Sequence, residues 1–292
     1  MEIKGIDISR YQGKPDFGKL KSEVGFVILQ AGFGRYASQR DAEFERNYSE
    51  CKKHGIPVGA YWFSYAKTAA EALAEANACM EVLKGKQFEY PIYYDLETGL
   101  DTLGRALVSS IAATFCTAVE KAGWFAGIYI SRAPAQSYLT DEVCGRYALW
   151  LAEYGSRLNW SGVVGMWQDS STGHFSGIQG NVDTDICYED YPKLIKNAGL
   201  NGFAKPEPTV TPLDSTGFGR GDKSLGVLAY KQLLIVARKK KLITQSVDDN
   251  RSFGEGTEKA TNELLRGYGF PENGIAGENL LRKLRKSLIS AQ

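Results

Sequence analysis

The residues that could perform chemistry are concentrated in segment 90–97, which reads Tyr-Pro-Ile-Tyr-Tyr-Asp-Leu-Glu. An aromatic, apolar run of this kind is typical of a strand. Asp95 and Glu97 are two positions apart, so in a strand they share one face, with Cα atoms roughly 6–7 Å apart. Paired carboxyls at such a separation suit the hydrolysis of glycosidic bonds, because one protonates the leaving oxygen and the other stabilises the sugar cation. An acidic strand end that faces water or caps a helix is the alternative.

The elements that must position this pair follow an alternating pattern. Short apolar strand candidates alternate with amphipathic helical stretches, which favours a parallel sheet. The predicted strands are 3–8, 26–31, 58–64, 90–97, 125–131 and 149–153, and the predicted helices lie near 41–54, 69–84 and 102–122. Beyond about residue 125 the helical patterns shrink, and two further strands are predicted at 163–168 and 181–187. A barrel with irregular late repeats therefore fits better than an open sheet.

Reactive side chains of parallel barrels lie at the C-terminal ends of the strands. Asp7 closes the first predicted strand and Asp183 lies in the last, so these two and the central pair are expected to meet at one mouth. Aromatic rings stack on the C–H faces of sugars. The candidates for a substrate groove, being at or near strand ends, are Tyr61, Tyr94, Tyr129, Trp150 and Gln168. Core packing is the alternative for each aromatic residue, since strands favour aromatic residues anyway.

Composition limits the other classes of function. The chain of 292 residues is 43% hydrophobic and 24% charged, as in an ordinary globular protein. No apolar run approaches the roughly 20 residues of a membrane span, and the N-terminus does not resemble a signal peptide, so we expect synthesis in the cytoplasm and no membrane insertion. With two histidines, five dispersed cysteines and no phosphate-binding glycine loop, neither a metal nor another cofactor is predicted.

The chain is predicted to contain two domains, 1–202 and 214–292. They are separated at 203–213, where three prolines alternate with polar residues as in a stiff, extended linker. The second domain has helical runs at 224–241, 256–267 and 277–288 and reads as a small three-helix bundle. Residues 213–292 contain 14 Lys and Arg against 9 Asp and Glu, so an acidic partner is expected, but no nucleic-acid motif accompanies the charge.

The first 200 or so residues resemble glycoside hydrolase family 25, the Chalaropsis-type muramidases. The resemblance covers the whole domain. Its matching segments are 5–9 with 11–13, 26–32, 55–63, 94–97, 149–154 and 167–168 through 181–183. One departure is Thr184-Asp185, where members usually have an aliphatic residue and Asn.

This resemblance implies an α/β fold, an irregular TIM-like barrel with five β/α units followed by three strands. It also implies that Glu97 is the general acid/base, that Asp95 is its partner, and that Asp7 and Asp183 are supporting carboxylates. The implied activity is that of an N-acetylmuramidase acting on peptidoglycan, as in many phage endolysins. Such an enzyme would be stored in the host cytoplasm and would act at the wall after release.

The stereochemistry remains open. A spacing of roughly 6–7 Å exceeds the ~5–5.5 Å of a direct nucleophile and would also admit an activated water. Retention assisted by the substrate's own 2-acetamido group, oriented by Asp95, is the preferred hypothesis. A chitinase-type or glucosaminidase-type enzyme and a non-catalytic wall-binding protein are the alternative functions.

The C-terminal domain resembles the three-helix peptidoglycan-binding domain of wall hydrolases. The matching residues are Gly221-Asp222, Val227, Gln232-Leu233, Phe253-Gly254, Thr257, Gly274-Ile275 and Gly277. The expected partner is peptidoglycan, in particular the anionic wall of Gram-positive bacteria. Self-association through this domain is the alternative.

Overall fold

The computed structural model describes residues 2–205 and 216–290. The chain divides into two compact units, Met1–Pro206 and Glu207–Gln292. Residues 206–213 of the predicted linker lie outside the described residues, so its extended form stays a prediction.

The first unit is a closed eight-stranded barrel in which the strands follow chain order. The strands are β1 (Ile3–Ile8), β2 (Phe26–Phe33), β3 (Val58–Phe63), β4 (Ile92–Asp95), β5 (Ala126–Ser131), β6 (Ala148–Ala152), β7 (Met166–Gly173) and β8 (Val182–Cys187). Strands β1 to β7 pair in parallel, whereas β8 is antiparallel to both β7 and β1. The predicted fold class is therefore confirmed.

Eight α-helices belong to the described part of this unit. They are α1 (Phe17–Leu20), α2 (Phe44–His54), α3 (Ala69–Leu83), α4 (Leu100–Leu103), α5 (Arg105–Lys121), α6 (Arg132–Tyr138), α7 (Asp141–Arg146) and α8 (Tyr191–Ala198). The helix predicted at 102–122 is divided at Gly104, whose positive φ of 75° separates α4 from α5. The segment that joins β6 to β7 contains no helix, which agrees with the weakening helical pattern of the sequence.

Alternation along the strands separates two apolar layers. Outward side chains pack against the helices, whereas an inner cluster that includes Tyr93, Tyr129 and Trp150 fills the barrel. Gly127 makes room for this cluster, because a Cβ there would lie 2.5 Å from the Tyr93 ring. The strand predicted at 90–97 is shorter than expected: β4 ends at Asp95, although the Leu96 amide still donates to the Tyr129 carbonyl at 3.0 Å.

The second unit is all-α among its described residues. Its helices are α9 (Leu225–Lys239), α10 (Glu255–Gly267) and α11 (Glu278–Ser290). They pack around a small core that includes Tyr230, Leu264 and Leu284. In the described parts of both units, no helix has the length and apolar character needed to cross a membrane.

Candidate active site

A cavity of about 260 Å³ opens at the C-terminal end of the parallel strands, and we call it the mouth cavity. All four predicted catalytic carboxyls line it. The lining residues are Asp7, Ser9, Tyr11, Gln12, Gln30, Tyr61, Phe63, Asp95, Glu97, Tyr129, Trp150, Tyr154, Gln168 and Asp183.

The carboxyls reach the cavity from three strands. Asp7 and Asp95 lie at the C-terminal ends of β1 and β4, and Glu97 follows two residues beyond β4. Asp183 is the second residue of β8. Because β8 runs antiparallel to β1, its beginning lies beside the end of β1, and Asp183 is directly opposite Asp7.

Burial raises the pKa of both carboxyls of the central pair, and neighbouring negative charges raise that of Asp95 further. Asp95 is only 4% exposed, and its Oδ1 accepts no hydrogen bond from the described residues. Its pKa is raised well above the ordinary value, mainly by burial and then by the charges of Glu97 and Asp7. Glu97 reaches solvent on one side, but enclosure by the cavity walls still raises its pKa, although the nearby Tyr129 hydroxyl acts in the opposite direction.

The supporting carboxyls have a similar environment. Burial and the neighbouring Asp183 raise the pKa of Asp7, although Gln168 Nε2 donates to Asp7 Oδ2 at 2.7 Å and acts in the opposite direction. Burial and Glu97 raise the pKa of Asp183. Among the described lining residues none is Lys, Arg or His, so carboxyls in this cavity tend to retain protons. A protonated acid beside an ionised one is what glycosidic cleavage needs.

Four of the five predicted groove residues are grouped on one wall. The Tyr129 hydroxyl donates to Gln168 Oε1 at 2.9 Å. The Trp150 ring lies edge-on to Tyr129 and Tyr61, with centroid distances of 4.5 and 6.2 Å. The structure therefore brings Tyr61, Tyr129, Trp150 and Gln168 together with the carboxyls.

Tyr94 is the predicted groove residue that the structure does not bring to the mouth cavity. It is fully buried on the outer face of β4, where its ring stacks on Phe115 at 3.9 Å. Its hydroxyl donates to Glu75 Oε2 at 2.6 Å. Since Asp95 faces inward, the two-residue period of the strand forces Tyr94 outward, and its assignment to the groove is corrected.

Sequence reasoning missed other parts of the site. Tyr154 lines the cavity and places its hydroxyl 3.2 Å from Gln168 Oε1. Asp185, which the sequence marked only as a departure from the family pattern, is 1% exposed, accepts a hydrogen bond from Trp150 Nε1 at 2.8 Å and holds that ring. The available signal was its position two residues after Asp183, on the same strand face.

The barrel, the converging carboxyls and the aromatic wall together define a glycoside hydrolase. The model of the Glycosyl hydrolases family 25 matches residues 6–178, and the chain belongs to that family. The family predicted from sequence is thereby confirmed.

Solved structures with this fold include an autolysin and an endolysin. The chain is 28% identical to the modular autolysin LytC from Streptococcus pneumoniae, with a TM-score of 0.58 over 64% of this chain and 47% of that one. It thus spans about half of LytC. The chain is also 27% identical to the CTP1L endolysin, with a TM-score of 0.59 over 67% of this chain and 70% of that one.

Two further relatives extend the comparison. The bacterial lysozyme from Streptomyces coelicolor shares the fold at 21% identity and a TM-score of 0.57, over 69% of this chain and 98% of that one. Among curated proteins, the uncharacterized YegX of Escherichia coli strain K12 is 26% identical over 190 residues, which is 63% of this chain and 69% of YegX.

Proposed function

We propose that the chain is an N-acetylmuramidase that hydrolyses the β-1,4 bond between N-acetylmuramic acid and N-acetylglucosamine in peptidoglycan. The observation that carries the proposal is the convergence of Asp7, Asp95, Glu97 and Asp183 on one aromatic-walled cavity. Membership of family 25 and the likeness to an autolysin and an endolysin support peptidoglycan as the substrate.

Glu97 is assigned as the general acid. It lies at the open edge of the cavity, where the leaving oxygen of a long glycan can reach it, and its raised pKa keeps a proton available. Asp95 is enclosed beneath it and is suited to orient a substrate group. Whichever of Asp7 and Asp183 is ionised adds negative potential that stabilises the positive charge developing on the sugar.

Retention through the 2-acetamido group is the proposed stereochemical course. The acetamido oxygen would attack the anomeric carbon as the bond to the leaving oxygen breaks and Glu97 protonates that oxygen. Asp95 would accept a hydrogen bond from the acetamido N–H. Water would then open the cyclic intermediate, with Glu97 accepting its proton. Proton NMR of an early digest should show the β-anomer first; initial α-anomer would contradict retention.

The bond is tested by reducing the new chain ends with borohydride and identifying them by mass spectrometry. Wild-type protein acting on purified Gram-positive peptidoglycan should produce muramitol ends. Glucosaminitol ends would reassign the enzyme as a glucosaminidase. Intact glycan from folded protein would favour a non-catalytic wall-binding function.

The biological setting is proposed to be that of a phage endolysin. Similarity to the CTP1L endolysin supports this setting. The protein would be made in the host cytoplasm and would act on the wall after release. The basic C-terminal unit would hold it on anionic Gram-positive walls, with self-association as the alternative role. Binding of the full chain and of a chain shortened after residue 205 to isolated sacculi tests that role.

A further inference from the structure

A second cavity, of about 360 Å³, lies outside the barrel between α6, α7 and segment 153–165, which joins β6 to β7. We call it the outer cavity. Its volume is within the range of about 300–1,000 Å³ that is usual for small-molecule sites. None of its lining residues belongs to the mouth cavity.

The walls of the outer cavity combine one aromatic ring with fixed polar groups. Trp160 is partly exposed and contributes an indole surface. Arg105 Nε donates to the Leu139 carbonyl at 2.8 Å, and Arg105 Nη2 lies 3.1 Å from Asp141 Oδ1. Gln136 adds an amide. An aromatic surface bordered by prepositioned planar polar groups suits a sugar, which has C–H faces and hydroxyl edges.

The charge of the cavity favours a neutral ligand. Arg105 and Asp141, which form an ion pair with each other, are the charged side chains among the described lining residues. Arg105 is paired with Asp141, so these two side chains together give the lining no net positive charge that would favour a phosphate or a carboxylate. An N-acetylglucosamine unit is uncharged and carries hydroxyl and amide groups able to pair with both members of the ion pair.

The outer cavity is connected to the mouth cavity through one segment and one side chain. Segment 153–165 contributes Tyr154 to the mouth cavity and Trp160 to the outer cavity. Between them, Arg132 Nε donates to Glu153 Oε1 at 2.7 Å, and Arg132 Nη1 donates to Gln136 Oε1 at 2.9 Å. The two cavities are thus joined on the β5–β7 side by one segment and one hydrogen-bonded side chain.

We propose that the outer cavity is a second glycan-binding site, which takes N-acetylhexosamine units away from the cleaved bond. The identity of the glycan rests on the proposed function. Such a site would increase the affinity for polymeric substrate, because a second contact on the same chain binds at high effective concentration.

Binding at the two cavities can be followed separately in one fluorine NMR spectrum. The chain has five tryptophans, of which Trp150 lines the mouth cavity and Trp160 the outer cavity. Full-length Glu97→Gln protein is labelled with 5-fluorotryptophan and titrated with the tetramer of N-acetylglucosamine, which carries no peptide. Trp160→Phe assigns the second signal. Both fluorine signals are expected to shift and saturate.

A blocking variant is available at Gly145. It lies in α7 and lines the outer cavity, and a Cβ there would meet nothing within 4 Å. Gly145→Phe should weaken binding at Trp160 by about tenfold or more, equivalent to about 1.4 kcal/mol. The matched control is Lys193→Phe on the exposed side of α8. Val163→Arg, at a site that is 79% exposed, is a second blocking variant.

The signal of Trp150 verifies that each variant is folded. A Trp160 signal that stays unchanged while Trp150 responds would overturn the proposal, and so would an equal loss in the Lys193→Phe control. A response at Trp160 only to peptide-bearing fragments would overturn the sugar assignment. If wild-type protein cleaves no peptidoglycan but both signals respond to the tetramer, the proposed function fails and the second site stands.

Discussion

Replacing Tyr94 by Phe separates a structural role from a role in the groove. The tyrosine hydroxyl donates to Glu75 Oε2 at 2.6 Å and accepts from Ser64 Oγ at 2.8 Å, and all three side chains are buried. Phenylalanine keeps the ring that stacks on Phe115. The substitution therefore removes two hydrogen bonds and leaves the apolar packing in place.

The expected cost follows from these contacts. A hydrogen bond to a charged group contributes about 1.5–3 kcal/mol, and a buried polar group without a partner costs about 1–3 kcal/mol. Glu75 keeps its bond from the Tyr65 amide at 2.9 Å, so we expect the free energy of unfolding of the barrel unit to fall by about 2–4 kcal/mol. For a domain of this size, that lowers Tm by about 5–15 °C.

The assay is calorimetry of the full chain together with steady-state kinetics at a temperature where the variant is folded. Tyr94→Phe should lower the Tm of the barrel transition and leave KM within about twofold of wild type. Tyr129→Phe is the comparison, because its hydroxyl lies in the mouth cavity, and it should reduce activity. An unchanged Tm with a raised KM for Tyr94→Phe would return Tyr94 to the groove and refute its outward placement.

Three further substitutions test the electrostatics. Asp95→Asn should be more stable than wild type at neutral pH, because the raised pKa of Asp95 makes its ionisation costly in the folded state. Denaturation at several pH values should show that this difference in stability vanishes below about pH 3.9, the pKa of an aspartate in the unfolded chain. Gln168→Leu removes the donor to Asp7, so the pKa of Asp7 should rise further, and the pH–rate profile should move to higher pH with about tenfold lower activity. Lys231→Met removes a buried ammonium that donates to three acceptors of segment 248–252. Urea denaturation should show that the free energy of unfolding of the C-terminal unit falls by about 2–3 kcal/mol. The exposed control Lys259→Met should change that free energy little.

The strand periodicity of the sequence was enough to predict most of the barrel and to bring the carboxyls to one mouth. It also contained the information that excludes Tyr94, since neighbouring strand residues face opposite sides. The two-residue period of β8 does not reveal whether the strand is parallel or antiparallel to its neighbours. The pairing of Asp183 with Asp7 is therefore seen only in the structure. Apolar residues in segment 153–165 follow neither a strand period nor a helix period, and the course of this segment depends on distant contacts such as that of Arg132 with Glu153.

The helices of the C-terminal unit were predicted to within a few residues, because apolar residues at helical spacing mark their buried faces. The buried Lys231 was not predicted. Its ammonium is satisfied by acceptors 17 to 21 residues away, and such compensation leaves no local signal in the sequence.

The measurement that tests the central claim most directly is the rate of reducing-end release from peptidoglycan by Glu97→Gln. The matched control is Glu142→Gln on the exposed part of α7. Loss of the general acid should lower the rate by about 10²–10⁴-fold with Tm unchanged or raised, while the control keeps the wild-type rate. A Glu97→Gln protein that releases reducing ends at the wild-type rate would contradict the assignment of the mouth cavity as the catalytic site.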